Sequence, residues 1–324
     1  MIENIPNPGL LCNSGIEQLN FSWQIVIDTL KLLKSAQDQG ELYDWQIDEF
    51  WRSSRRNLLS AYAQVFQGVE LIIKGKIAEV SPYILIDNLV EKTKGCANPE
   101  KNPKGKKVSI DFSEFKTIQE SELLNVYMGV SDCVLEQSFI ERYEKMRKMR
   151  NKIMHLEIQG FETPDKLKEL ANEIIENILC MFNTLMPNKK WMDCRATSIS
   201  GSPSEMLYML DSNVSPHFDL CEEFKILIDT LPPKLVKEFF GFNKKNRLYC
   251  CPKCLVKSDA GACDFVDLKF AYLTSKEPGE TKLTCPLCGN TVEVFRMSCS
   301  DRECKGSVCY DGYCLTCLEG YFKL

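Results

Sequence analysis

The stretch LEQSFIERYEKMRKMRNKIMH, residues 135–155, decides how this chain is read. Leu135, Phe139, Tyr143, Met146 and Ile153 fall at spacings compatible with one apolar helical stripe. The other side carries Arg142, Lys145, Arg147, Lys148, Arg150 and Lys152. A strongly helical run is therefore expected from near Asp132, and an amphipathic helix needs further layers to cover its apolar face. Both flanks supply them. Upstream, Phe21, Ile25, Ile27, Leu30 and Leu33 recur at roughly helical spacing between Gly15 and Ala36, with Gly40 as a stop. A second helix is expected from about Trp45 through Leu59, Val65, Leu71 and Ile72. It ends at Ser81-Pro82, where proline lacks the amide hydrogen and clashes with the preceding turn. Tyr83–Ile86 is short, apolar and open in type, and residues 111–130 are expected to hold another helix, from Ser113 or Thr117 onward. Downstream, Thr163-Pro164-Asp165 reads as a cap with proline at the first helical position. The helix it opens contains Leu167, Leu170, Ile174, Ile178 and Met181 and ends before Pro187.

Residues 15–187 thus read as an all-α bundle, helix after helix with short connections. Residues 188–245 read as a linker with short helices, marked by the Gly/Ser/Pro-rich Ser198–Ser204 and by Pro232-Pro233. Residues 246–324 form a cysteine-rich α+β domain in which Val292-Glu293-Val294-Phe295-Arg296 alternates like a strand. The fold class is mainly α with a small metal-binding appendage. Between Lys92 and Lys107, Gly95, Pro99, Pro103 and Gly105 mark a loop. Its lysines are Lys92, Lys94, Lys101, Lys104, Lys106 and Lys107, either a solvated face or an arm for phosphate. A net charge of -5 excludes a protein that coats nucleic acid while leaving room for a local basic site. No basic leader and no apolar run long enough to span a bilayer are present, so a cytoplasmic protein without membrane contact is expected.

The end of the 135–155 stretch concentrates chemistry. Arg150-Asn151-Lys152-Ile153-Met154-His155 holds one of only two histidines in 324 residues. Arginine offers a planar donor fork for phosphate, and histidine moves protons near neutral pH. Asn151 and His155 are four apart and share a helix face. Arg150 and His155 are five apart, about 140° around an ideal helix, so two copies of the helix meeting in one groove would serve better than one. An arginine, a polar residue, three more residues and a histidine, late in a long helix of an α-bundle, resemble the HEPN superfamily motif. Gly68–Gly75 resembles the segment such domains show in an earlier helix. The resemblance covers residues 15–187 and makes the fold a HEPN-like helical bundle. It implies a dimeric, metal-independent endoribonuclease of the toxin or antiviral-defence kind. Arg150 would neutralise the scissile phosphate, His155 would act in acid-base transfer, and Asn151 would orient either. Attack by the ribose 2′-hydroxyl would leave a 2′,3′-cyclic phosphate, chemistry that only RNA permits. Some HEPN domains are instead dimerisation or binding modules without catalysis. Glu70 and Lys74 read as a helix salt bridge, and His217 as a surface residue of the linker.

Of 17 cysteines, eleven lie from Cys250 onward. Cys251-Pro252-Lys253-Cys254 and Cys285-Pro286-Leu287-Cys288-Gly289 are two Cys-x2-Cys knuckles suited to a structural zinc ribbon, with Gly289 supplying a permissive backbone. Cys250 is an alternative to Cys251. Cys299, Cys304, Cys314 and Cys317 give a second four-sulfur site, with Cys309 either a buried thiol or an alternative ligand, and Cys263 is left over. About two zinc ions per chain are expected, none of them for catalysis. Residues 244–324 carry 12 Lys/Arg against 10 Asp/Glu. The eight thiolates and two dications add a further -4, so this domain is not electropositive. Tyr249, Phe270, Tyr272, Phe295, Tyr310 and Tyr313 either stack bases or form core. RNA, a homodimer, and a protein partner or trigger at the zinc domain are the partners this reading names.

Overall fold

The computed structural model describes residues 2–40, 42–87, 109–155, 160–200, 215–258, 265–275, 277 and 279–320. The lysine-rich loop between Lys92 and Lys107, Cys263, and most of the Ser198–Ser204 segment lie outside these residues. The chain divides into two compact units, Met1–Asn188 and Lys189–Leu324. No helix among the described residues is long and apolar enough to cross a membrane.

The first unit is built on an antiparallel pair, α1 (Pro8–Gln39) and α2 (Asp44–Val80). Asn7 caps α1 by accepting from the Leu10 amide, and Pro8 occupies its first position. The pair is tight because glycines meet along it. A Cβ on Gly15 would come within 2.6 Å of the Gly68 carbonyl, and one on Gly75 within 2.5 Å of Cys12 Sγ. The glycines that carried the Gly68–Gly75 resemblance therefore serve helix approach here. Leu19, Trp23 and Ile27 of α1 and Leu58, Tyr62, Val65, Phe66 and Ile72 of α2 are buried. Phe21, counted with the apolar face in the sequence, is 55% exposed.

Three shorter helices cover this pair: α3 (Leu123–Val130), α4 (Gln137–His155) and α5 (Pro164–Leu185). Thr163 caps α5, accepting from the Lys166 amide, with Pro164 first in the helix, as its sequence predicts. Phe139, Tyr143 and Met146 turn the α4 stripe inward, and the Phe66 and Tyr143 ring centroids lie 5.2 Å apart. Arg142 ties α4 to α5, donating to Asn177 at 2.9 Å and to Glu176 at 2.6 Å.

Residues 111–122 depart from expectation. Phe112–Glu114 is a single 3-10 turn, its start held by Asp111 accepting from the Ser113 amide. Beyond it the backbone is spent on a distant segment: the Asp87 amide donates to the Lys116 carbonyl and the Ile118 amide to the Leu85 carbonyl. Those bonds commit residues 116–118 to that segment, the helix begins at Leu123, and Glu120 between them meets Tyr143 and Arg150 of α4. Pro82–Leu85, open in type from sequence, is also a 3-10 turn. Strands β1 (Ile2–Glu3) and β2 (Ile110–Asp111) pair in parallel, Ile2 opposite Ile110.

In the second unit, α6 (Trp191–Ser200), α7 (Pro216–Thr230) and α8 (Pro233–Phe240) precede the cysteine-rich part. Arg195 of α6 and Glu223 of α7 form a buried ion pair, Nη2 to Oε1 at 2.6 Å. A four-stranded antiparallel sheet follows, in the order β3 (Tyr249–Cys250), β4 (Lys269–Leu273), β5 (Lys282–Thr284), β6 (Thr291–Glu293). The short helix α9 (Pro252–Ser258) follows β3. A hairpin of β7 (Cys309–Tyr310) and β8 (Tyr313–Cys314) closes the chain. Phe224, Phe265 and Phe270 fill the core beneath the sheet. Of the aromatics considered for base stacking, Tyr249 and Phe270 are buried, while Phe295 and Tyr313 are exposed.

Candidate active site and metal centres

A groove of about 420 Å³ opens along α4 in the first unit. Glu70 and Lys74 of α2 form one wall, Thr117–Ser121 another, and Arg147 and Asn151 of α4 the third. The α2 wall is the expected helix salt bridge, Lys74 Nζ at 2.5 Å from Glu70. Tyr143 donates its hydroxyl to the Glu120 carbonyl at 3.0 Å, which fixes the extended wall against α4. Burial first, then the carboxylates of Glu70, Glu120 and Glu144, push the Tyr143 phenol far above its usual range. A buried neutral phenol therefore sits beneath a ring of acids.

Arg150 and Asn151 are brought together: Arg150 Nη1 donates to Asn151 Oδ1 at 3.0 Å and lies 3.0 Å from Glu120 Oε1. Arg147 Nη2 lies 2.8 Å from Glu144 Oε2, and that hydrogen bond raises its guanidinium further. His155 is exposed at the end of α4 and does not line the groove. Arg147, Asn151 and His155 nevertheless form one row at four-residue spacing. Each step advances about 6 Å along the axis and turns about 40°, so His155 stands one step beyond the groove. Sequence reasoning missed Glu120, the partner of Arg150, because its contact depends on the non-local pairing of residues 116–118. Arg147 carried a readable signal, being four residues before Asn151.

The cysteine clusters assemble as spaced. Cys251, Cys254, Cys285 and Cys288 form one group and Cys299, Cys304, Cys314 and Cys317 another. Facing sulfurs lie 3.7 Å (Cys251–Cys288) and 3.8 Å (Cys254–Cys285) apart in the first. In the second they lie 3.6 Å (Cys299–Cys317) and 3.9 Å (Cys304–Cys314) apart. A tetrahedron with metal–sulfur bonds of about 2.3 Å has edges of about 3.8 Å. These contacts are far beyond the disulfide length of about 2.05 Å. The clusters thus fit a metal ion held by four thiolates.

Local backbone explains the fit. Cys251 leaves β3 and Cys254 lies on the first turn of α9. The second knuckle is the β5–β6 turn, closed by the Gly289 amide donating to the Cys285 carbonyl at 2.9 Å, with Gly289 at φ 68°. The Gly306 amide donates to Cys304 Sγ at 3.3 Å. Cys250 and Cys309 belong to neither cluster. Cys250 Sγ faces the Phe265 carbonyl, and Cys309 Sγ faces that of Met297. Burial pushes their thiols up to about 12 and about 11 respectively.

His217 corrects its sequence reading as a linker residue. It lies in the first turn of α7, capped by Ser215, and its Nε2 is buried with no hydrogen-bond partner. With Cys221 and Cys254 it forms a third group of potential ligands. Comparison with protein-family models, curated proteins and solved structures returns no match.

Proposed function

We propose that the helical unit is a metal-independent endoribonuclease of HEPN type, acting as a homodimer, with the second unit held by two structural zinc ions. The observation that carries the proposal is the hydrogen-bonded Arg150–Asn151 pair beside a polar groove, with the exposed His155 next on the same row of α4. A phosphodiester entering there meets Arg150 as the group that balances negative charge while the phosphorane forms. The His155 imidazole accepts the 2′-hydroxyl proton as that oxygen bonds to phosphorus. The 5′-oxygen then leaves, taking a proton from an imidazolium or from water, and a 2′,3′-cyclic phosphate remains. A second α4 across a two-fold axis would set one copy's arginine against the other copy's histidine, resolving the 140° offset. Zinc suits the two clusters because four thiolates form its closed, structural arrangement.

The test is incubation of the full chain with RNA. Cleavage persists in a chelator, yields cyclic-phosphate ends and stops at a 2′-deoxy position. His155→Ala lowers it about 10²–10⁴-fold, the usual contribution of acid-base transfer. Equal cleavage by the variant would remove His155 from the mechanism.

A second reading, a non-catalytic HEPN-like dimerisation or binding protein whose zinc unit contacts nucleic acid or protein, draws on a different observation. The groove cations are paired, Lys74 with Glu70 and Arg147 with Glu144, and so is Arg150 beside the groove, with Glu120. Under this reading, Arg150 serves to anchor the 117–121 segment. Arg150→Ala then destabilises the helical unit while RNA remains intact with both proteins.

A further inference from the structure

We propose that the second unit binds a third metal ion, held by His217, Cys221 and Cys254, with the Cys254 thiolate bridging to the ion of the first four-cysteine cluster. The inference rests on that cluster being metallated. His217 and Cys221 are four residues apart on α7, so their side chains share a helix face. That face is docked on the first knuckle. Ser215, the cap of α7, donates its hydroxyl to the Lys257 carbonyl of α9 at 2.9 Å, and Cys254 lies on α9. The imidazole nitrogen and the two sulfurs all fall within 4.8 Å of one another. A tetrahedral zinc site with one nitrogen and two sulfurs needs separations of about 3.5–3.8 Å, so a small inward shift closes it.

Two further features point to a ligand. Nε2 of His217 is buried with no hydrogen-bond partner, a costly state for a ring nitrogen, and metal coordination satisfies it. Cys221 and Cys254 are both fully buried, so each thiolate needs a cation once ionised. The charges agree. One dication and four thiolates leave -2 in a buried site. A second dication with the Cys221 thiolate and a neutral imidazole brings the pair of sites to -1. Binding releases the Cys221 proton to water, and the ion has three protein ligands and one position for water or an exchangeable donor. The soft donor set selects a thiophilic divalent ion of the zinc kind over magnesium or calcium.

The experiment is metal analysis of the full chain, purified with zinc present and desalted, with His217→Gln and Cys221→Ser alongside. Three zinc ions per chain are expected for the wild type and two for each variant, the retained two showing that the four-cysteine clusters persist. Cadmium NMR of the cadmium-loaded wild type provides the second readout. Three resonances are expected, two of them mutually coupled through the shared Cys254 sulfur. Two ions in wild type and variants alike, with two uncoupled resonances, would overturn the proposal and leave His217 as a neighbour of the ribbon. Zero ions in the wild type would instead overturn the reading of the ribbon clusters. If a variant loses all its metal through misfolding, the coupling measured in the wild type decides.

Discussion

Removing the Arg195 side chain should strongly destabilise the second unit unless Glu223 is removed with it. The pair joins α6 to α7, with Arg195 Nη2 2.6 Å from Glu223 Oε1 and Nε 3.2 Å from Oε2, a two-pronged contact. Both side chains are buried, at 2% and 3% exposure. In water each charge would be solvated, so the pair itself adds little net stability, but removing one side chain leaves the other's charge in the interior without this counter-ion. The typical loss is about 3–5 kcal/mol for Arg195→Met or Glu223→Leu alone. The double substitution places two apolar side chains where the charges were, and its cost should lie within about 1 kcal/mol of zero. At roughly 3–5 °C per kcal/mol for a unit of this size, the single variants should melt about 10–20 °C lower. Calorimetry of the full chain at fixed free zinc, with thermal metal release read by a chromogenic chelator, assigns the transition to this unit. Single variants that cost less than about 1 kcal/mol, or a double variant as unstable as the sum of the two, would refute the reasoning.

Three other outcomes are expected. Gly75→Ala should destabilise the first unit by about 1–3 kcal/mol in chemical denaturation, because the new Cβ meets Cys12 Sγ at 2.5 Å and the Pro8 carbonyl at 3.0 Å. Gly129→Ala, with nothing within 4 Å, serves as its near-neutral control. Chelation should expose the second unit to limited proteolysis while a fragment ending near Asn188 survives, since the first unit has an apolar core of its own and the second relies on its clusters. Burial raises the phenols of Tyr62, Tyr127 and Tyr143, Tyr127 to about 12. Unfolded tyrosine ionises near pH 10, so the contribution of these groups is complete below about pH 10 and falls above it, that of Tyr127 being lost as pH rises through about 12. Urea midpoints at pH 8 and pH 11 should show this fall, and Tyr127→Phe should reduce it.

What was legible in the sequence was local. Thr163-Pro164 announces a helix start because both cap chemistry and proline geometry are complete within four residues. The knuckles are legible because two residues between sulfurs suffice to aim both at one ion, and the structure keeps Cys250 and Cys309 out of those groups. The helix expected from Ser113 or Thr117 begins only at Leu123, because the backbone of Lys116 and Ile118 bonds to Asp87 and Leu85, a choice that no local pattern encodes. Arg195 and Glu223 lie 28 positions apart, and nothing nearby marks them as partners. His217 is a different case. Ser215-Pro216 is a helix-start signal of the same kind as Thr163-Pro164, and His217 and Cys221 have four-residue spacing. Its meaning was masked by the Gly/Ser/Pro-rich composition upstream, which suggested a surface position in a linker with short helices.

The basic side of α4 also has to be weighed against its partners. Arg142 and Lys145 are committed to Glu176 and Glu173 of α5, at 2.6 and 2.7 Å. Arg147 and Arg150 face Glu144 and Glu120. Four of the six cations on this side thus become, in the fold, partly exposed ion pairs, each worth at most about 1 kcal/mol. Such pairs open at little cost when a stronger anion arrives. Under the proposed ribonuclease reading, a phosphodiester competing for Arg150 would displace Glu120, while the Asn151 bond to the same Nη1 would remain. The carboxylate then lies beside bound phosphate, and its repulsion lowers affinity without disturbing position. On that reading Glu120 would tune how tightly an anion is held, while Arg150 and Asn151 would determine where it sits. That division would suit a site that must release its product, beside a groove whose lining balances Glu70 and Glu120 against Lys74 and Arg147.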